Sequence, residues 1–339
     1  MVKSAPRSSP SSVLAPTRGS WEIARVENCW EHDLPERFGP MTTKELRQNL
    51  RRGSFVYPFL GIQLLAVIAM AAEFQMGDVE TYTEWVGAMN LGLLGISGPF
   101  WLVVTFICLL VMPLGGLILM GQELEEGNHE LLLLTHLDRW KVVLGKFFTL
   151  WGLCSLTFIS LMPYVVVRYL LGSIEWWREA SCSLSILGGS AILCAGAIGA
   201  SSFKGLGARI GIMVLFIASC AAACSVPLMA SAAVSRGCGV WYHLSALGSV
   251  FCYTLLGLSL ARSRLRLVVH AYEVKPSWMI VGLLVFTPFV VWMTTAFTVG
   301  YAGCVGLIGM AFVAIYADVT PKAPRWMVAP APNVPKVEG

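Results

Sequence analysis

Charge is scarce in this sequence. Only 13% of its 339 residues are Asp, Glu, Lys or Arg, about half the ~25% of an ordinary soluble domain. That shortage, with 56% apolar residues and a mean hydropathy of +0.69, excludes a soluble enzyme and a disordered scaffold. Ten cysteines are present but no CxxC pair, so zinc-ribbon and thioredoxin-type sites are excluded. A P-loop is missing as well. The Gly145-Lys146 pair is followed by Phe147 where Ser or Thr is needed, and Trp140 stands where the first glycine belongs. No stretch between apolar runs is long enough for a nucleotide-binding domain, so no ATP chemistry is expected on this chain. His129 and His136 have no third metal ligand placed by spacing. The sequence therefore supplies no catalytic, cofactor-binding or metal-binding set. The net charge of +4 is small and unevenly placed, which speaks to membrane topology and not to nucleic-acid binding.

What is present is a series of apolar runs. A helix needs ~20 apolar residues to cross the hydrocarbon core. Eight runs qualify or nearly so: 55–74, 94–120, 142–171, 183–202, 208–230, 239–261, 278–298 and 301–317, the last being the shortest. The fold class expected is an all-α, polytopic transmembrane helix bundle. Placing the N-terminus in the cytoplasm and alternating sides puts 21 of the 24 Lys and Arg on inner segments. Arg168, Arg178 and Arg236 remain outside, and the first outer loop carries Glu73, Asp78, Glu80 and Glu84 with no basic residue. This asymmetry follows the positive-inside rule and places both termini in the cytoplasm. Trp85, Trp176, Trp177 and Trp241 fall at outer ends, and Trp140 and Trp278 at inner ends, as an aromatic belt does.

The organisation expected is a cytoplasmic tail over 1–40, partly disordered, then an amphipathic segment over 41–53 and six spans over 54–266 enclosing a cytoplasmic loop at 121–141. A loop at 267–277, two further spans over 278–317 and a tail over 318–339 complete it. The spans are almost free of charge. Lys146 reads as snorkelling to the inner interface, Arg168 lies near the outer end of the same span, and neither reads as a buried relay. Polar groups converging on one face, which a membrane-embedded enzyme needs, are not evident. Gly188, Gly189, Ala195, Gly196 and Gly199 in span 4, and Gly303, Gly306 and Gly309 in span 8, read as surfaces for close helix packing in lipid.

Two cytoplasmic segments carry more specific signals. In Met41–Arg52, Thr42 and Glu45 form a T-x-x-E capping box, and Leu46 and Leu50 share one face flanked by Lys44, Arg47, Arg51 and Arg52. This is the pattern of a short helix lying on the inner membrane surface. In Gly121–Lys146, Asn128 is an N-cap after Gly127, Glu130 lies in the first turn where the helix dipole favours an acid, and Leu131 to Leu134 form an apolar patch too short to cross a bilayer. A capped helix with exposed leucines calls for a partner surface.

These segments resemble motifs of the ABC-2 type permeases, the membrane subunits of ABC exporters. Lys44-Glu45-Leu46-Arg47-Gln48-Asn49-Leu50-Arg51 is similar to the family's KELRQ-LR connecting helix. Glu126, Gly127, Glu130, Leu131, Leu132, Leu133, Thr135, Leu137 and Val143-Leu144-Gly145-Lys146 match its E-x-GTLELLL-TPLS-x-x-x-IVLGK segment. Asn128 and Asp138 replace Thr and Ser with equal capping chemistry, whereas His129 replaces Leu and His136 replaces Pro. The resemblance covers about residues 41–266 and leaves spans 7 and 8 outside the usual six-helix core. It implies a coupling helix, with Glu126, Gly127, Asn128, Glu130, Leu131, Leu132, Leu134 and Leu137 contacting a separate ABC ATPase that carries ATP and Mg²⁺. It also implies a homodimer, or a heterodimer with a similar permease, in the bacterial plasma (inner) membrane. The alternative is a non-transporting scaffold or assembly subunit with a permease-like fold.

Overall fold

A computed structural model of the chain describes residues 53–76, 98–117, 139–172, 176–203, 205–233, 240–269, 278–298 and 301–317. Each apolar run expected to span is a helix: α1 (Gly53–Met76), α2 (Pro99–Leu117), α3 (Arg139–Gly172), α4 (Trp176–Ser201), α5 (Leu206–Ala233), α6 (Val240–Val269), α7 (Met279–Phe297) and α8 (Gly303–Tyr316). No strand occurs among the described residues. α2 to α7 are each long and apolar enough to cross a membrane. The apolar part of α1 is shorter, Phe59–Gln75, and α8 has 14 residues. At about 1.5 Å per residue α8 reaches ~21 Å, short of the ~30 Å hydrocarbon core. The outside of the bundle is apolar. Leu60, Leu64, Val214, Phe286, Phe289 and Val305 are all exposed, which suits lipid as the surrounding solvent. The architecture is that of a multi-pass membrane protein.

Contacts between helix ends show that the helices alternate in direction. The C-terminal ends of α1 and α3 meet the N-terminal ends of α2 and α4 through Glu73, Arg168, Trp101 and Glu179. Farther along, the start of α6 and the end of α7 meet the start of α8, where Ser245 and Thr295 border Gly303. At the other pole the Arg262 guanidinium, near the end of α6, lies 4.8 Å over the Trp140 ring at the start of α3.

Local sequence explains the irregularities. Residues Phe106–Val111 of α2 are π-helical, and the Met112 N–H bonds back five residues to the Ile107 carbonyl. Pro113 follows directly. It cannot donate to the carbonyl four residues earlier and its ring crowds that carbonyl, so the turn ahead of it widens. α6 packs against α3, α4, α5, α7 and α8. Its approach to α4 depends on glycine. A Cβ at Gly257 would sit 2.6 Å from the Ala195 carbonyl carbon, and one at Gly199 would sit 2.8 Å from the Gly257 oxygen. Gly188 faces Val250 and Gly196 faces Phe216, so the small-residue surface of span 4 is a packing surface, as expected. In α8, Gly303 and Gly306 are likewise close to side chains of Thr295 and Thr294, but Gly309 has open space around it.

α7 and α8 are integral to the bundle. Phe216, Tyr253, Leu256, Leu284 and Leu307 share one buried core with them. The Tyr253 hydroxyl donates to the Ser219 carbonyl at 2.9 Å, and the Ser219 hydroxyl donates to the Leu284 carbonyl at 2.5 Å. That chain ties α5, α6 and α7 together.

Candidate functional site

The segments that carry the expected coupling and interfacial helices, Glu126 to Leu137 and Lys44 to Arg51, lie outside the described residues. So does Cys238, whose pairing with Cys182 would need an oxidising outer side. Within the described part of the second motif, Val143, Gly145 and Lys146 lie in the first turns of α3 and are buried. Lys146 is 2% exposed. The reading of a lysine snorkelling to the interface is therefore corrected: its side chain is enclosed by the protein.

Arg168 requires a larger correction. It lies near the end of α3 as expected, but its side chain is buried, at 2% exposure. Its Nε donates to Glu73 Oε1 at 2.9 Å and its Nη1 to Glu179 Oε1 at 2.6 Å, while Nη2 makes a further short contact with Glu73 Oε1. The Trp101 indole N–H reaches both oxygens of Glu179, at 3.3 and 3.2 Å. The guanidinium also lies 5.7 Å from the Phe100 ring centre. Four helices thus contribute to one ionic cluster at the end of the bundle that bears the 77–97 connection. Gly98 completes it. Its φ of +124° is a conformation open mainly to glycine, and a Cβ there would lie 2.7 Å from Glu73 Oε1. The backbone turn into α2 can therefore lie directly against the ion pair.

Geometry explains why this cluster is tolerated in an apolar bundle. Arginine presents a planar fork that can donate to two carboxylates at once; both oxygens of Glu179 receive donors, whereas Glu73 takes its donors at Oε1 and its buried Oε2 has none among the described residues. Such an arrangement contributes little net stability, because desolvation offsets the attraction, but losing one partner is costly. What it supplies is registration: it fixes the ends of α1, α2, α3 and α4 relative to one another. Sequence reading missed it because each residue alone sits at a span end, where charges are unremarkable. The available signal was complementarity, an acid-only first outer loop beside a single arginine at the outer end of span 3.

A second feature lies between α3, α4, α5 and α6. It is a cavity of about 840 Å³. Trp151, Ser185, Ile192, Cys224, Tyr242 and Thr254 are among its lining residues. The α3 wall is fixed by Trp151, which stacks on Phe147 with ring centres 5.9 Å apart and donates its indole N–H to the Leu187 carbonyl at 3.3 Å. Cys220 and Cys224, one turn apart on α5, have sulfurs 4.0 Å apart and both line the cavity. Among the described residues, no three His, Cys, Asp or Glu side chains are grouped as a metal site.

The chain matches no protein-family model, no curated protein and no solved structure. Fold and site together define a class, a multi-pass helical membrane protein with a buried inter-helix ionic cluster.

Proposed function

We propose that the chain is the membrane permease subunit of an ATP-driven ABC transporter of the ABC-2 type, and that it works as an exporter. The observation that carries this reading is the segment from Glu126 to Lys146, with its ELLL and VLGK elements, leading directly into α3 at Arg139. Two features of the helices support it. The membrane-spanning helices hold no phosphate-binding loop, so energy must come from another polypeptide, in which phosphoryl transfer would occur. The ionic cluster joins α1 to α4 at the pole remote from that segment, so a push on α3 at its start would be transmitted to four helices as one body. On this reading the chain resides in a bacterial plasma membrane with both termini in the cytoplasm, and assembles as a homodimer or with a similar permease.

The test is recruitment. The chain, co-expressed with a P-loop ATPase encoded beside its gene, is expected to retain that ATPase through purification in mild detergent, and to stimulate ATP hydrolysis on reconstitution. A chain that inserts and folds but never retains or stimulates an ATPase would leave the scaffold reading standing instead.

A further inference from the structure

We propose that Glu73 is a proton-binding site: the folded chain holds it as the neutral carboxylic acid, with the proton on Oε2, and the fold is weakened as pH rises. This rests on the ionic cluster and on no ATPase partner.

Three observations carry it. The first is the orphaned oxygen. Glu73 Oε2 is buried and has no hydrogen-bond partner among the described residues, so the 13% exposure of the side chain lies elsewhere on it. A buried polar atom without a partner is costly, and more so when it is charged. An oxygen enclosed in this way is closed to water and to metal ions, but a proton needs no room. Bound there, it turns an unpaired charged oxygen into a neutral hydroxyl, which is far cheaper to bury.

The second is the way the arginine meets it. A guanidinium edge ordinarily meets a carboxylate fork to fork, with one N–H on each oxygen. Here Nε and Nη2, which share one edge of the guanidinium, both converge on Oε1. A carboxylic acid is met in this manner, because its carbonyl oxygen can accept two donors while its hydroxyl oxygen is left aside.

The third is charge. One guanidinium serves two carboxyl groups, and Glu179 has the better claim on it. Arg168 Nη1 donates to Glu179 Oε1 at 2.6 Å, and the Trp101 indole N–H reaches both Glu179 oxygens. With Glu179 ionised, a second carboxylate would share the same buried site, and like charges in one site resist double ionisation. One proton makes the trio neutral. Among the described residues, the charged groups facing Glu73 are Arg168 from α3 and, across it, Glu179 from α4. α2 presents Phe100, Trp101 and the Gly98 backbone, none of which titrates. Cys108, Tyr164 and Cys182 are the ionisable side chains of the adjoining core.

The test uses the purified full chain in detergent and reads infrared absorption at neutral pH. Ordinary Asp and Glu are ionised there, and the carbonyl stretch of a protonated carboxyl stands apart from their bands. The native chain is expected to show that stretch and Glu73→Gln to lack it. With glutamate carboxyls isotopically labelled, Glu179→Asp keeps the second charge and is expected to leave the isotope-shifted stretch in place. If the stretch moves to the unlabelled aspartate, the proton sits at position 179 and the assignment to Glu73 fails. Stability supplies a second reading. An unfolded chain has released this proton above about pH 5, so each step up in pH favours unfolding until the folded chain releases it too. Over that window the native melting temperature is expected to fall relative to that of Glu73→Gln by about 2 °C per pH unit, the linkage of one proton in a chain of this size. Cys108, Tyr164 and Cys182 are common to both chains and cancel in the difference. A native chain without the stretch, a stretch that survives in Glu73→Gln, or melting temperatures of the two chains that run parallel with pH would overturn the proposal. The first of these would mean an ionised Glu73 whose Oε2 takes a donor from residues 77–97. Because no ATPase is present, failure here is distinct from failure of the permease reading.

Discussion

Arg168 is the residue whose loss should damage the fold most for its position at a span end. Its side chain is 2% exposed, and it meets Glu73 and Glu179, at 13% and 5% exposure, from two other helices. Arg168→Met removes the cation and leaves two buried carboxylates facing each other. Breaking a buried pair by deleting one partner costs about 3–5 kcal/mol. Arg168→Lys should cost less but not be neutral, because an ammonium cannot reproduce the planar fork that bonds both acids. Glu73→Gln should cost least of the three, since it retains an acceptor for Arg168 and Glu73 is the more exposed acid. The informative variant is the neutral triple, Glu73→Gln, Arg168→Met and Glu179→Gln. With no charge left to desolvate, it should recover most of the stability lost in Arg168→Met. The buried thiols of Cys108, Cys154 and Cys194 provide the assay, a thermal ramp in detergent with a thiol-reactive dye that reports their exposure. The reasoning is refuted if Arg168→Met melts no lower than Glu73→Gln, or if the triple variant melts as low as Arg168→Met.

Other expectations follow from the same geometry. Gly98→Ala should destabilise by about 1–3 kcal/mol, the cost of holding a non-glycine residue in a sparsely populated backbone region, read in the same thermal assay. Gly257→Ala forces α4 and α6 apart and should cost about 1–3 kcal/mol as an overpacked contact, whereas Gly309→Ala, with nothing near its added methyl, should be neutral or stabilise by up to ~1 kcal/mol through helix propensity. A reporter fused at Gly339 should report a cytoplasmic C-terminus, and an outer signal there would mean that α7 or α8 does not complete a crossing.

Much of the fold was legible because the bilayer allows few solutions. Backbone groups in lipid must be satisfied within a helix, so a long apolar run has one available structure, and all eight runs adopt it. The small-residue pattern of span 4 was legible for a related reason, since close approach in lipid needs residues such as Gly196 and Gly199. The integration of α7 and α8 was not, because nothing in one sequence says which helix they pack against. Nor was the ionic cluster. Glu73 and Arg168 are 95 positions apart, and each alone satisfies the ordinary pattern for a span end. The cavity was hidden for a different reason: Ser185 and Thr254 look like any small polar residue in a span until their neighbours are known. The short leucine-bearing segment is the reverse case, read from sequence alone and lying outside the described residues.

The most direct test of the permease reading is a single substitution in that segment. Leu132→Asp places a carboxylate where the permease reading puts an apolar groove of the ATPase, which costs several kcal/mol if it is desolvated without a partner. The chain carrying it should insert in the membrane and melt as the native chain does, yet fail to retain the ATPase in a pull-down, while Leu267→Asp, in the last turn of α6, should retain it. If Leu132→Asp lowers the melting temperature and leaves ATPase retention unchanged, those leucines pack against the chain itself and the coupling assignment is wrong.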